Sequence, residues 1–194
     1  MISCLPDARR KRKSRKGISR KNKGKIKYAK SIDERPIDAD LRKPGHWEID
    51  TAVSRKSSSV LVICVERSSR MVRLRIIQDK SSEEMKNAVI HLLRPYKDFI
   101  ETLTFDNGTE NALHYEIGET LDADTFFCHV YSSWEKGTVE NTIGLIRRIF
   151  PKGTDWRQVS QEDIKELERQ MNCRPRKCLQ FKTLYEVFMK QFNM

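Results

Sequence analysis

No apolar run in the sequence approaches the roughly 18 residues of a membrane span, and its N-terminus lacks the apolar stretch of a signal peptide. Neither a membrane anchor nor a secretory leader is expected. The five cysteines (Cys4, Cys64, Cys128, Cys173 and Cys178) are odd in number and include no CxxC pair. A disulfide framework and a zinc knuckle are therefore both unsupported. The pattern fits reduced thiols in the cytoplasm, with Cys64 and Cys128 in strand-like apolar runs as core residues. The histidines His46, His91, His114 and His129 lack the spacing of metal ligands. No internal repeat is present.

Positive charge is in excess, and it is unevenly placed. Lys and Arg total 38 against 27 Asp and Glu. Residues 1–30 hold 13 of the basic side chains and a single acid, Asp7, so the other 164 residues are close to neutral. The run RRKRKSRK (9–16), with Arg10, Lys11, Arg12 and Lys13 at its centre, repels itself and buries no apolar surface. A phosphate backbone is its natural counter-ion, bound without sequence readout. The alternatives are a solvated or targeting tail and an anionic-membrane patch.

Residues 1–44 read as a basic, disordered tail and linker that ends at Pro44-Gly45, and 45–194 as one compact domain. Three strand candidates follow the turn. Trp47, Ile49, Thr51 and Val53 alternate with Glu48, Asp50 and Ala52; Val60–Val65 is a continuous apolar run; Met71–Ile77 is a third stretch. A helix is expected where Met85, Ala88, Val89, Leu92, Leu93 and Tyr96 share one face, capped by Ser81 or Ser82. Strands at Glu101–Phe105 and Thr125–Val130 bracket a weaker helix over 110–121. A further helix runs from about Lys136 to Phe150, another opens at the capping box of Ser160 and Asp163, and a short one at Thr183. This order implies an α/β architecture: a mixed five-stranded sheet with helices on both faces, the element order of an RNase H-like fold.

Three acids sit where chemistry is usually placed. Asp50 lies on the strand face opposite Trp47 and Ile49, Asp106 at the end of a strand, and Glu140 in the first turns of a helix. Each alone has an ordinary reading: an edge-strand acid, a turn residue, an acid favoured by the helix dipole. Together they match the needs of phosphoryl transfer, in which carboxylate oxygens hold two divalent cations. In an RNase H-like sheet the first and fourth strands are neighbours, which would set Asp50 beside Asp106. Glu48, on the same strand face as Asp50, is a supporting acid or an alternative ligand. Asn107 steadies Asp106 or merely supplies the turn.

Arg147 lies two helical turns after Glu140, and with Arg148 it would grip a DNA end or else be plain surface charge. Trp134, Lys136 and Gly137 make a DNA-contacting loop or a helix entry with a buried tryptophan. Arg174, Arg176 and Lys177 form a basic cluster suited to phosphate contact.

The segments GHWEID (45–50), TFDNGTE (104–110), YSSWEKGTVENTIGLIRRIFPKGTD (131–155) and NCRPRKCLQFKTLYEVF (172–188) closely resemble the catalytic region of IS-thirty family transposases. The intervals of 56 residues from Asp50 to Asp106 and 34 from Asp106 to Glu140 are those of that family's DDE motif. The resemblance implies that Asp50, Asp106 and Glu140 are catalytic and bind two Mg²⁺ or Mn²⁺ ions. It also implies cutting and joining of DNA at insertion-sequence ends by a homodimer or larger assembly, in the cytoplasm at the nucleoid. The sequence departs from the family at Ile49, where Gly is usual, and at Ile143, where Asn is usual. Family members carry helix-turn-helix regions ahead of the core, and residues 1–44 cannot form one. Truncation to a non-catalytic DNA-binding or regulatory fragment is therefore the alternative, and an RNase H-like nuclease acting on other nucleic acids is a second rival.

Overall fold

A computed structural model describes residues 26–40 and 42–192. Its strands are β1 (Lys30–Ser31), β2 (His46–Ala52), β3 (Val60–Glu66), β4 (Val72–Ile77), β5 (Thr102–Phe105) and β6 (Asp124–Phe127). They form one sheet in the order β1-β6-β5-β2-β3-β4. The β2, β3 and β4 strands make an antiparallel meander, whereas β5, β6 and β1 add to β2 in parallel. The helices are α1 (Ile37–Asp40), α2 (Ser82–Leu93), α3 (His114–Leu121), α4 (Gly137–Ile146), α5 (Gln161–Asn172) and α6 (Leu184–Gln191).

The expected mixed sheet with helices on both faces is present, but among the described residues it has six strands instead of five. The extra strand comes from a basic stretch with no alternating pattern, so nothing local announces it. Tertiary pairing creates it: Lys30 lies opposite Phe126 in the register with β6, and Lys30 Nζ sits 2.6 Å from Asp124 Oδ1.

Two cores flank the sheet, and β3 supplies both. Val60, Val62 and Cys64 join Trp47, Ile49, Leu103 and Phe105 beneath α2 and α3. Leu61, Ile63 and Val65 pack with Val139, Ile143 and Ile146 of α4 and with Ile164 and Leu167 of α5. All seven β3 residues are buried, as a continuous apolar run in a central strand requires. Burying each large apolar side chain contributes roughly 1.5–3 kcal/mol. Cys64 and Cys128 are buried free thiols; burial raises both pKa values, that of Cys128 to about 12.

Helix α2 follows its pattern closely. Ser81 accepts from Glu84 N, and Met85, Ala88, Val89, Leu92 and Leu93 form the buried face. The capping boxes of α5 (Ser160 with Asp163) and α6 (Thr183 with Glu186) are both formed. The region 110–121 is less regular: a turn at Thr109–Asn111 precedes α3, because Asn111 is drawn back to Asp106. Helix α4 also stops earlier than Phe150, at Ile146.

Strand β4 is at the sheet edge, where unpaired backbone groups invite aggregation. Helix α5 covers it with side chains. Asn172 accepts from Val72 N and donates to Val72 O, both at 2.9 Å. Glu168 accepts from Leu74 N at 2.7 Å, and Gln161 donates to Ile76 O at 2.8 Å. One helix face thus stands in for a missing strand.

Candidate active site

Asp50 lies near the end of β2, and Asp106 directly follows β5. These strands run parallel, with His46 opposite Thr102 and Glu48 opposite Thr104. That offset of 56 residues equals the interval between the two acids. Continued by two residues, the register sets Asp50 level with Asp106 on adjacent strands, which in a sheet lie about 4.8 Å apart. Both acids emerge at carboxyl ends of parallel strands, where open α/β sheets form their clefts.

The surroundings fix each carboxylate differently. Asp106 Oδ1 accepts from Asn111 Nδ2 at 2.7 Å and from Gly108 N at 3.3 Å. Asp50 Oδ1 accepts from Thr51 N at 2.7 Å, while its Oδ2 is 3.0 Å from Lys136 Nζ. Glu140 is solvent-exposed in the first turn of α4. All three line one cleft of about 820 Å³, together with Lys136, Ile143 and Arg147. Among the described residues, no group of three or more His, Cys, Asp or Glu side chains stands close enough to hold a metal ion. The three acids therefore share a cleft without forming a closed ligand set.

Lys136 was expected to face DNA. Its side chain is instead buried, with Nζ donating to Ile49 O at 2.9 Å and pairing with Asp50, so its charge is used inside the protein. Trp134 takes the exposed alternative, with 72% of its surface accessible. Arg147, the C-cap of α4, also lines the cleft, and Arg148 is exposed beside it, outside the cleft lining. Arg174, Arg176 and Lys177 follow α5 and do not line the cleft; burial and the nearby Arg174 lower the Arg176 pKa. Arg10, Lys11, Arg12 and Lys13 lie outside the described residues. Ile143 is 7% exposed and packs in the core beneath α4, which gives its apolar side chain a structural role.

Several site residues were not legible beforehand. Asn111 holds Asp106, whereas Asn107 donates to Cys128 O and serves the turn. Glu110 is buried in the cleft wall and paired with Lys80. His129, on the rim, bridges Glu135 Oε1 at 2.8 Å and Asp33 Oδ2 at 3.0 Å. The asparagine five residues after Asp106 was the one available signal for Asn111; Glu110, the partner of Lys80, and Asp33, one of the two partners of His129, are remote in sequence and left none.

No protein-family model matches the chain. Among curated proteins, it is 36% identical over 184 residues to the transposase for insertion sequence element IS4351 of Bacteroides fragilis, covering 94% of the chain and 56% of the relative. It is 37% identical over 158 residues to transposase InsI for insertion sequence element IS30C of Escherichia coli (strain K12), covering 80% of the chain and 41% of the relative. The chain thus spans about half the length of the curated relatives it matches. Among solved structures, the catalytic core domain of BIV integrase superposes with a TM-score of 0.58 at 16% identity, covering 77% of the chain and 97% of that core. A chain of a simian T-cell lymphotropic virus intasome gives 0.62 at 17% identity, covering 75% and 55%. At such identities the likeness concerns the fold, which is RNase H-like.

Proposed function

We propose that the chain belongs, over the region it shares with them, to the IS-thirty family of insertion-sequence transposases, and that it catalyses divalent-metal-dependent DNA cleavage and strand transfer. Asp50, Asp106 and Glu140 are the metal-binding carboxylates of this reading. One observation supports it above the rest: two strands in matched register and one helix deliver three acids to a single cleft.

The donor chemistry fits the cations proposed. Magnesium and manganese take hard carboxylate oxygens together with water. A cationic group already stands at Asp50 Oδ2, the Lys136 ammonium, which marks that oxygen as a place where positive charge is held. When bound, a pair of such ions activates the attacking oxygen and stabilises the leaving one. The remaining work belongs to the protein. Asn111 and Gly108 fix one oxygen of Asp106 and leave Oδ2 without a hydrogen bond among the described residues. Arg147 supplies positive charge inside the cleft for a DNA phosphate. Arg148, Arg174, Arg176, Lys177 and the basic run at Arg10–Lys13 extend that contact over the duplex. A homodimer or larger assembly on DNA completes the proposal.

The test is metal-dependent nicking of a transposon-end duplex by Asp106→Asn. Cleavage is expected to fall to background; undiminished cleavage rejects the assignment. Binding that stays salt-sensitive after loss of all three acids, with no cleavage by the unaltered chain, would favour the non-catalytic alternative.

A further inference from the structure

We infer that Glu48 is a positioning residue for Glu140, held in place by a clasp from residues 35–40; this rests on the metal-binding role proposed for Glu140. The inference starts from a missing cap. Helix α4 begins with no side-chain cap from its own N-terminal residues, although the first N–H groups of any helix lack intrahelical partners. The cap comes from another element: Glu48 Oε2, on β2, accepts from Val139 N at 2.8 Å. Val139 is the residue before Glu140.

Glu48 is completely buried, and both of its oxygens are engaged. It shares a strand face with Asp50 but offers nothing to the cleft, so it is not an alternative ligand. Its second oxygen, Oε1, pairs with Arg67 Nη1. Arg67 in turn donates from Nε to Ala39 O at 3.0 Å and reaches Asp40 Oδ1 at 3.5 Å. Arg35, also paired with Asp40, donates from Nη1 to Thr104 Oγ1 at 3.2 Å, two residues before Asp106. The segment ahead of β2 is thereby tied to both acid-bearing strands and, through Glu48, to the first turn of α4.

Stability alone does not account for this arrangement. An ion pair withdrawn from water is commonly no more stabilising than an apolar pair of the same volume. What an apolar pair cannot do is accept a backbone N–H at a helix start. The geometry assigns Glu48 that task, which sets the direction in which Glu140 enters the cleft.

Glu48→Gln tests the assignment in the full chain, because the amide keeps its shape but presents a donor or a neutral oxygen to Arg67. Amide hydrogen exchange over Thr138–Asn141 is expected to accelerate at least tenfold while α2 exchanges as before. Mn²⁺ alone, titrated by loss of its free electron-spin resonance signal, is expected to half-saturate at roughly tenfold higher concentration, the scale seen when groups supporting metal ligands are removed. Arg67→Lys is expected to move both readouts the same way by less, and it carries the test should Glu48→Gln fail to fold. Unchanged exchange in α4 overturns the positioning role whatever the activity. So does an equal acceleration across α2 and α4, which signals general loosening. Undiminished nicking of supercoiled plasmid by Glu140→Gln would instead overturn the metal-binding reading beneath it.

Discussion

Lys136 Nζ stands 3.0 Å from Asp50 Oδ2 and 2.9 Å from Ile49 O, so a buried cation holds the first acid of the cleft from beneath. A lysine is stable in such a place only where its charge is paired. The pair also ties the entry to α4 to strand β2, in addition to the Glu48 bond.

Two cations near one carboxylate repel each other, and in the partly desolvated cleft that repulsion is only weakly screened. Lys136→Gln retains a donor for Ile49 O and removes the charge. Mn²⁺ is expected to bind the variant about tenfold more tightly, from the Coulombic magnitude at short range. Weaker or unchanged binding in a calorimetric titration would mean that the lysine does not oppose the ion.

Asn111 fixes Asp106 through its carboxylate and its backbone carbonyl at once. Asn111→Ala is expected to lower metal-dependent nicking on the order of 10- to 100-fold, as loss of a ligand-orienting partner typically does. Full activity in a nicking time course would show that Asp106 needs no such support.

Asn172 is 5% exposed and bonds both backbone groups of Val72 on the edge strand. Asn172→Ala should cost about 2–3 kcal/mol, because a buried N–H and carbonyl lose their partners together. The urea midpoint should fall accordingly, and light scattering should report self-association through the uncovered edge. A midpoint equal to that of the unaltered chain would contradict the covering role of α5.

His129 joins Asp33 to Glu135 at the rim of the cleft. Its pKa is raised above the ordinary 6.5, first by the hydrogen bond with Glu135 and then by the Asp33 charge. A raised value means the folded state binds the proton more tightly. The link is therefore fully present below about pH 6.5 and is lost as the pH rises through the folded value. Proton NMR of the His129 ring should place its midpoint above 6.5, and exchange of residues 31–35 should quicken over that interval only while His129 is present. A midpoint at or below 6.5 would remove the link.

The basic run makes a separable prediction. Replacing Arg10, Lys11, Arg12 and Lys13 with Gln should weaken duplex binding without regard to sequence. It should also reduce the slope of log K against log salt by about 4, roughly one per phosphate contact. An unchanged slope would show that these four side chains do not meet phosphates.

Much of the fold was legible wherever a pattern is local. The i, i+3, i+4 face of α2, the continuous apolar run of β3, the capping box of α5 and the start of α6 at Thr183 depend on neighbours a few residues away, and all are present as expected. Strand β1 was missed because only its partner β6 defines it. In the cleft, the acids were recognisable by spacing and the local turn at Asp106 by composition, whereas the inward turn of Lys136 depends on a carbonyl 87 residues away.

Amino-acid order by itself determined most of the segments that become helix or strand, β1 excepted, where the charge accumulates and the 56-residue interval that the β2–β5 register reproduces. Periodicity, capping and composition act over a few residues, so they survive without the rest of the molecule. Tertiary structure alone decided that Glu48 is spent on α4, that Lys136 is buried against Asp50 and that residues 35–40 clasp the core. These facts come from long-range contacts between polar groups, whose partners are chosen by desolvation and geometry once the chain has closed.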